Sequence, residues 1–267
     1  MKDEFPSLVD RAYKEYRKLH FVEEIMSNNP VTIGPEASMA EASKIMGDKH
    51  IGSLIVVVQG KPEAIVTERD LLSKILARGR DPKTVKVNEV MSSPLVTISL
   101  TSTIKEAARM MIEKKGRLVV FREGKLTGIV TAADLIRSMP DTPETIIVDD
   151  IMTKQVVISE AEATVGEIAK TMGKERIGSV IIVKNKKPFG IFTERDLLTT
   201  FLAKGKPLDI KVGNVASSPL ITIPSGKSVH EAAYIMSSKH VRRLPVTKNG
   251  KVIGVVTARD LVEAYAK

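Results

Sequence analysis

The sequence predicts an α/β protein built from four β-α-β-β-α units that pair two and two, and three observations carry that expectation. The first is an internal repeat, Ala64-Ile-Val-Thr-Glu-Arg-Asp-Leu-Leu72, Gly128-Ile-Val-Thr-Ala-Ala-Asp-Leu-Ile136, Gly190-Ile-Phe-Thr-Glu-Arg-Asp-Leu-Leu198 and Gly254-Val-Val-Thr-Ala-Arg-Asp-Leu-Val262. Its threonines fall at 67, 131, 193 and 257, and such regular self-similarity marks a repeat architecture. The second is inequality among the copies. Met26 to Gly79 aligns with Met152 to Gly205 without a gap, through Met46-Gly47 with Met172-Gly173 and Ile51-Gly52-Ser53 with Ile177-Gly178-Ser179. Repeats two and four instead share Ser93-Pro94-Leu95 with Ser218-Pro219-Leu220, and Glu106-Ala107-Ala108 with Glu231-Ala232-Ala233. A two-repeat module, itself duplicated, explains both likenesses. The third is the periodicity inside each unit, which alternates short apolar runs with helical spacing.

Residues 1–20 read as an amphipathic helix, with Pro6 near its start and Leu8, Ala12, Tyr16 and Leu19 on one side. Repeat four shows the common plan. Leu220 to Ile223 is expected as a strand, and Ser228 to Lys239 as a helix burying Val229, Ala232, Ala233 and Met236. Leu244 to Thr247 is a second strand, Asn249-Gly250 a hairpin turn, and Val252 to Val256 the return strand, after which the motif threonine opens a second helix. The first helices begin at Ser38, Thr103, Thr164 and Ser228, each followed three residues on by glutamate, the capping-box pattern. Linkers Ala77-Arg-Gly-Arg-Asp-Pro82 and Ala203-Lys-Gly-Lys-Pro207 resemble one another, whereas Met139-Pro-Asp-Thr-Pro143 has no counterpart and marks the main boundary. The expected repeats are 21–80, 84–140, 146–206 and 210–267, in modules 21–140 and 146–267.

Composition excludes several classes. With 43% hydrophobic and 27% charged residues in 267, the chain is an ordinary globular one of about two domains. Its longest apolar runs, such as Leu54 to Val58, are far short of a membrane span, and no signal peptide is read at the N-terminus, so a cytoplasmic location without membrane contact is expected. Zero cysteine rules out disulfides and thiolate chemistry. Two glutamines among many Lys, Arg and Glu fit a thermophile. A net charge of +9 favours anions, admitting nucleic acid, nucleotides and acidic proteins, though lysines and arginines dispersed on solvated faces explain it too.

The four units, each ending in Gly-hydrophobic-hydrophobic-Thr-x-x-Asp or its Ala64 variant, with Met-Ser or Met-Thr opening three of them, resemble cystathionine β-synthase (CBS) domains over about residues 22–266. The resemblance implies repeats paired through their sheets into two Bateman modules, with nucleotide clefts between repeats and a disc-like assembly. It also implies similarity to the regulatory γ subunit of AMP-activated protein kinase and to archaeal tandem-CBS proteins. In that family the motif Asp and Thr commonly bind ribose and phosphate, which assigns ribose to Asp70, Asp134, Asp196 and Asp260, with support from Thr67, Thr131, Thr193 and Thr257.

The chemistry suits that assignment. A carboxylate in the first helical turn can accept from both ribose hydroxyls, and the motif arginines Arg69, Arg195 and Arg259 supply planar permanent cations. Thr-x-x-Asp is equally a helix-capping pattern. Before the middle strand, Ser53, Arg117, Ser179 and Arg243 align, with Arg242 beside the last. The γ-subunit resemblance makes Arg117, Arg242 and Arg243 phosphate candidates. His50, Lys114, Arg176 and His240 stand three positions earlier and read as cations complementing helix C-termini. Three departures from the pattern matter: Ala64 for glycine, Ala132-Ala133 in place of the motif arginine, and Ala216 for methionine.

The expected function is therefore non-catalytic: AMP, ADP or ATP bound as a regulatory ligand, with energy state passed to an unidentified effector protein. No P-loop, Rossmann fingerprint, nucleophile elbow or histidine metal pattern occurs, so no enzyme, catalytic cofactor or metal site is predicted; magnesium could accompany ATP. S-adenosylmethionine is the alternative ligand, since its adenosine satisfies the same aspartates, but it lacks phosphates for the arginines. A nucleic-acid-binding accessory role is a further alternative, disfavoured by 4% aromatics and no tryptophan. The modules could complete an assembly within one chain, or two chains could form a homodimer through the N-terminal helix.

Overall fold

A computed structural model describes residues 21–114, 116–138 and 146–267. The expected N-terminal helix and most of the linker between modules lie outside the described residues.

Each repeat opens with a short strand lying parallel to the first strand of a hairpin. The opening strands are Thr32–Ile33, Thr97–Ile98, Ile158–Glu160 and Ile223–Pro224. The Leu220 to Ile223 strand expected in repeat four is thus shorter and later: only Ile223 and Pro224 run beside Val246 and Thr247, while Ile221 is left exposed. The hairpins are Ser53–Val58 with Lys61–Thr67, Leu118–Arg122 with Lys125–Val130, Ser179–Lys184 with Lys187–Thr193, and Arg243–Lys248 with Lys251–Thr257. At the last turn Asn249 and Gly250 both take left-handed φ, 51° and 73°, as an Asn-Gly hairpin turn requires.

The first helices, Met39–Asp48, Ile104–Glu113, Val165–Glu175 and Val229–Ser238, start where expected. Ser38, Thr103, Thr164 and Ser228 accept from the N–H of the glutamate three residues on, at 3.1 to 3.2 Å. Such a cap contributes about 1 kcal/mol.

Within each module the entry segment of one repeat crosses to the sheet of the other. Ser27 pairs with Ile129, Ser92 with Ile65, Thr153 with Val255 and Ser217 with Ile191. The motif glycines have a reason here, because a Cβ at Gly128 would collide with Met26, one at Gly254 with Met152, and one at Gly190 would approach the Ser217 carbonyl oxygen to 2.7 Å.

The second helices divide into two kinds. In repeat four a regular α-helix, Ala258–Ala266, follows the motif, and in repeat two so does Ala132–Ser138. In repeats one and three a single turn, Glu68–Asp70 or Glu194–Asp196, passes into a π-helix, Leu71–Ile75 or Leu197–Leu202. The wider turn splits the shared Leu-Leu pair. Leu71 and Leu197 enter their own repeat's core, whereas Leu72 packs into the core of repeat three and Leu198 into that of repeat one. Each buried leucine contributes roughly 1.5–3 kcal/mol.

That exchange is one of two joints between modules. Around it, a Cβ at Gly47 would collide with Ala203 and one at Gly173 with Ala77, so the shared Met-Gly pair and the like-sounding Ala-Arg-Gly and Ala-Lys-Gly linkers form reciprocal contacts. The other joint is a single apolar core uniting repeats two and four, including Ala107, Met111, Leu135, Ala232, Leu261 and Val262.

Candidate ligand-binding site

In all four motifs the aspartate closes back on its threonine. Its Oδ2 accepts the threonine N–H at 2.7 to 2.9 Å and the threonine hydroxyl at 2.6 to 2.8 Å. The capping reading therefore holds at Asp70, Asp134, Asp196 and Asp260, and it uses only one carboxylate oxygen. The repeats differ in what meets the other. Asp70 Oδ1 pairs with Lys74 at 2.7 Å. Asp134 Oδ1 pairs with Arg137 and accepts from Ser27, 3.4 Å away in the crossing entry segment. At Asp196 burial holds the carboxyl above the ordinary aspartate value despite the opposing influence of Thr193, of Ser217 in the other repeat and of the nearby Arg243. Asp260 is likewise raised by burial, aided by Glu263. Among the described residues neither Asp196 nor Asp260 is in an ion pair.

A hollow of about 180 Å³ opens at Asp260, lined by Asp150, Ile151, Glu263, Ala264 and Lys267. Its three carboxylates, of which Glu263 lies 3.6 Å from Lys267 Nζ, leave a net acidic lining that suits hydroxyl or cationic groups better than phosphate.

The arginines take unequal positions. Arg259 is exposed and Arg69 is 62% exposed, its Nε 3.4 Å from Glu194 Oε1. Arg195, Arg117, Arg242 and Arg243 are partly or largely buried, and desolvation pulls Arg117, Arg195 and Arg243 below the usual guanidinium value. Arg117 Nη2 donates to the Gly52 carbonyl at 2.9 Å. Arg242 Nη2 meets Glu68 Oε1 at 2.7 Å, and Arg243 Nη2 meets Glu194 Oε2 at 3.3 Å. The three phosphate candidates thus gather with Arg69 and Arg195 around two glutamates, at 5% and 6% side-chain exposure. Burial opposes the ionisation of Glu68, but Arg242, Arg117 and Arg195 outweigh it and hold the carboxyl below its ordinary value.

Sequence reasoning assigned no role to Glu68 and Glu194, although the signal existed: glutamate follows the motif threonine only in repeats one and three. These are the repeats with Gly-Ser where two and four carry arginine. Space is the link, for a Cβ at Gly52 would lie 3.0 Å from Arg117 Nη2 and one at Gly178 would collide with Arg243. Ser27 was also missed as the partner of Asp134, although the Met-Ser openings contained it.

His50, Arg176 and His240 occupy left-handed positions just past their helices, with φ of 53°, 55° and 53°, and Lys114 forms a C-cap. These four are helix-end residues. Among the described residues no group of three or more His, Asp or Glu could hold a metal, and no helix is long and apolar enough to cross a membrane.

Several proteins resemble the chain in sequence or in fold. An uncharacterized protein of Methanopyrus kandleri, MK0525, is 39% identical over 43% of this chain and 61% of its own. Another, MJ1404 of Methanocaldococcus jannaschii, is 27% identical over 92% of this chain and 62% of its own; the chain spans less than two thirds of either. The crystal structure of MJ1225 from M. jannaschii, whose description proposes it as an archaeal homologue of γ-AMPK, superposes with a TM-score of 0.75 at 22% identity, over 92% of this chain and all of that one. An uncharacterized conserved protein from Pyrococcus horikoshii gives 0.64 at 23%, with the same coverage. The CBS domain model matches at residues 22–77, 87–141, 148–203 and 212–267. With four such matches covering most of its length, each falling on one sheet-and-helix unit, the chain belongs to the CBS domain family.

Proposed function

We propose that this protein is a non-catalytic regulator that binds an adenine nucleotide between paired CBS repeats and passes the bound state to a partner protein in the cytoplasm. One observation carries the reading: Asp196 caps its helix with one oxygen, is in no ion pair among the described residues, and lies within electrostatic reach of Arg243. A ribose whose hydroxyls donate to the oxygen that the cap leaves unused would place its phosphate toward Arg243, Arg242 and Arg195, where charge-assisted contacts are strong. Thr193 and Asp196 are the ribose residues of this cleft. By repeat symmetry Thr67 with Asp70, Thr131 with Asp134 and Thr257 with Asp260 are the others, Arg117 and Arg69 serving the first module and Arg259 the last cleft.

A ligand changes the arrangement of repeats only by its differential affinity for two states. The junction between modules, with its exchanged leucines, its shared apolar core and its ion pairs at Glu68 and Glu194, is where such a difference would register. The Asp260 hollow supports a second reading for that cleft alone: its three carboxylates favour an adenosine carrying a cation, as in S-adenosylmethionine, over a polyphosphate.

Titration of nucleotide-stripped protein with AMP, ADP, ATP, adenosine and S-adenosylmethionine tests both. Phosphate-bearing ligands should bind more tightly than adenosine. S-adenosylmethionine binding alone would replace the nucleotide reading, and steeply salt-sensitive binding of polynucleotides in place of mononucleotides would favour nucleic acid.

A further inference from the structure

We propose that Glu68 and Glu194 are resident occupants of the arginine cluster, and that an arriving phosphate group takes their place on Arg242 and Arg243. The inference rests on the nucleotide reading for its natural ligand, while its mechanism follows from the cluster's geometry. Glu68 is held on one side only: Oε1 meets Arg242, whereas Oε2 is buried with no hydrogen-bond partner among the described residues. A carboxylate so placed has lost its water without full replacement. Glu194 meets Arg243 at 3.3 Å and Arg69 at 3.4 Å, beyond the 2.7–2.9 Å usual for charge-assisted bonds.

The charge count points the same way. Arg69, Arg117, Arg195, Arg242 and Arg243 face Glu68 and Glu194 within the cluster, with Asp70 and Asp196 at its edge acting on Arg117, Arg195 and Arg243. Asp70 is already paired with Lys74, so a cationic surplus remains for an anion to neutralise. A phosphate group brings about three acceptor oxygens, enough to satisfy guanidinium forks that a single carboxylate oxygen cannot. The Glu68–Arg242 and Arg69–Glu194 contacts each join the two modules. A phosphate therefore competes with an inter-module contact for the same donors, and its arrival frees two glutamates at the joint. These carboxylates thereby set how much negative charge a ligand must bring.

The test is calorimetric titration of the full chain, as wild type, Glu68→Gln and Glu194→Gln, with inorganic pyrophosphate and separately with adenosine. Each glutamine variant should bind pyrophosphate at least tenfold more tightly than wild type, with adenosine affinity unchanged. Equal, weaker or absent pyrophosphate binding in a variant overturns the role of that glutamate. Should Glu68→Gln not fold, Glu194→Gln carries the comparison alone. Parallel titrations with AMP, ADP and ATP separate the two claims. Tightened pyrophosphate binding without nucleotide binding leaves the occupants standing and removes the nucleotide reading; nucleotide binding with no gain in either variant does the reverse.

Discussion

Arg242 of the fourth repeat and Glu68 of the first meet at 2.7 Å, Nη2 to Oε1, across the junction of the two modules. Glu68 is 5% exposed and Arg242 30%, so removing the cation strands a buried anion. Arg242→Ala should destabilise the protein by about 3 kcal/mol, the lower end for a broken buried pair, because Arg117 stays nearby. Chemical denaturation measures it; a loss under about 1 kcal/mol would mean that water already screens the pair.

Gly47 lies where any side chain would strike Ala203, and Gly173 where it would strike Ala77. Replacing Gly47 with leucine should therefore force the modules apart at the joint of repeats one and three, at a cost of about 1–3 kcal/mol from overpacking. The same change at Gly34, which has nothing within 4 Å, is the control. Thermal unfolding of the two variants should differ clearly, and equal midpoints would contradict the contact.

Arg137 holds the outer oxygen of Asp134, but its own side chain is 51% exposed. Asp134 itself is 4% exposed, but it keeps Thr131 and Ser27 as donors, so Arg137→Ala should cost about 1–2 kcal/mol, less than Arg242→Ala. It should also open repeat two to a ribose, raising the number of nucleotides bound per chain. Unchanged stoichiometry would show that the missing motif arginine, at Ala133, already disables this cleft.

Four units of β-α-β-β-α, their helix caps and their two-and-two grouping were legible because they are local: caps, turn residues and periodicity act within a few positions. The aspartates were legible as helix caps, because the threonine three residues before each one supplies the donors that its Oδ2 accepts. What escaped was set by contacts distant in sequence. Nothing near Glu68 announces that Arg242, far along the chain, will be its partner, and nothing near Leu72 says that its core belongs to repeat three. The π-turns escaped as well: the sequence after Thr-Glu-Arg-Asp reads as a sound α-helix, and the wider turns lie where Leu72 and Leu198 pack into the other module. Gly52 was visible as shared with Gly178, but its purpose appears only when Arg117 is seen beside it.

Burial raises the Asp196 carboxyl in the folded protein. Between the ordinary aspartate value and this raised one, the folded state holds more protons than the unfolded state, so this residue's contribution to stability falls as pH rises through that window. Glu68 has the opposite sign: its lowered value adds stability that is present above the ordinary glutamate value and lost as pH falls through the folded one. Asp196→Asn removes the first effect alone. Denaturation across that window should therefore show the variant gaining on wild type as pH rises, and a constant gap would show that Asp196 titrates normally.

The central claim is that the Asp196 cleft takes an adenosine phosphate, and it is tested most directly by calorimetric titration of the nucleotide-stripped chain with AMP, ADP and ATP beside Asp196→Ala and Asp260→Ala. Losing one cap costs about 1 kcal/mol, so both variants should stay folded. The account predicts that at least one nucleotide binds wild type and that Asp196→Ala weakens it at least tenfold, with a smaller effect from Asp260→Ala. Nucleotide binding that Asp196→Ala leaves intact, or no binding to wild type at all, would contradict it and leave Asp196 a helix cap alone.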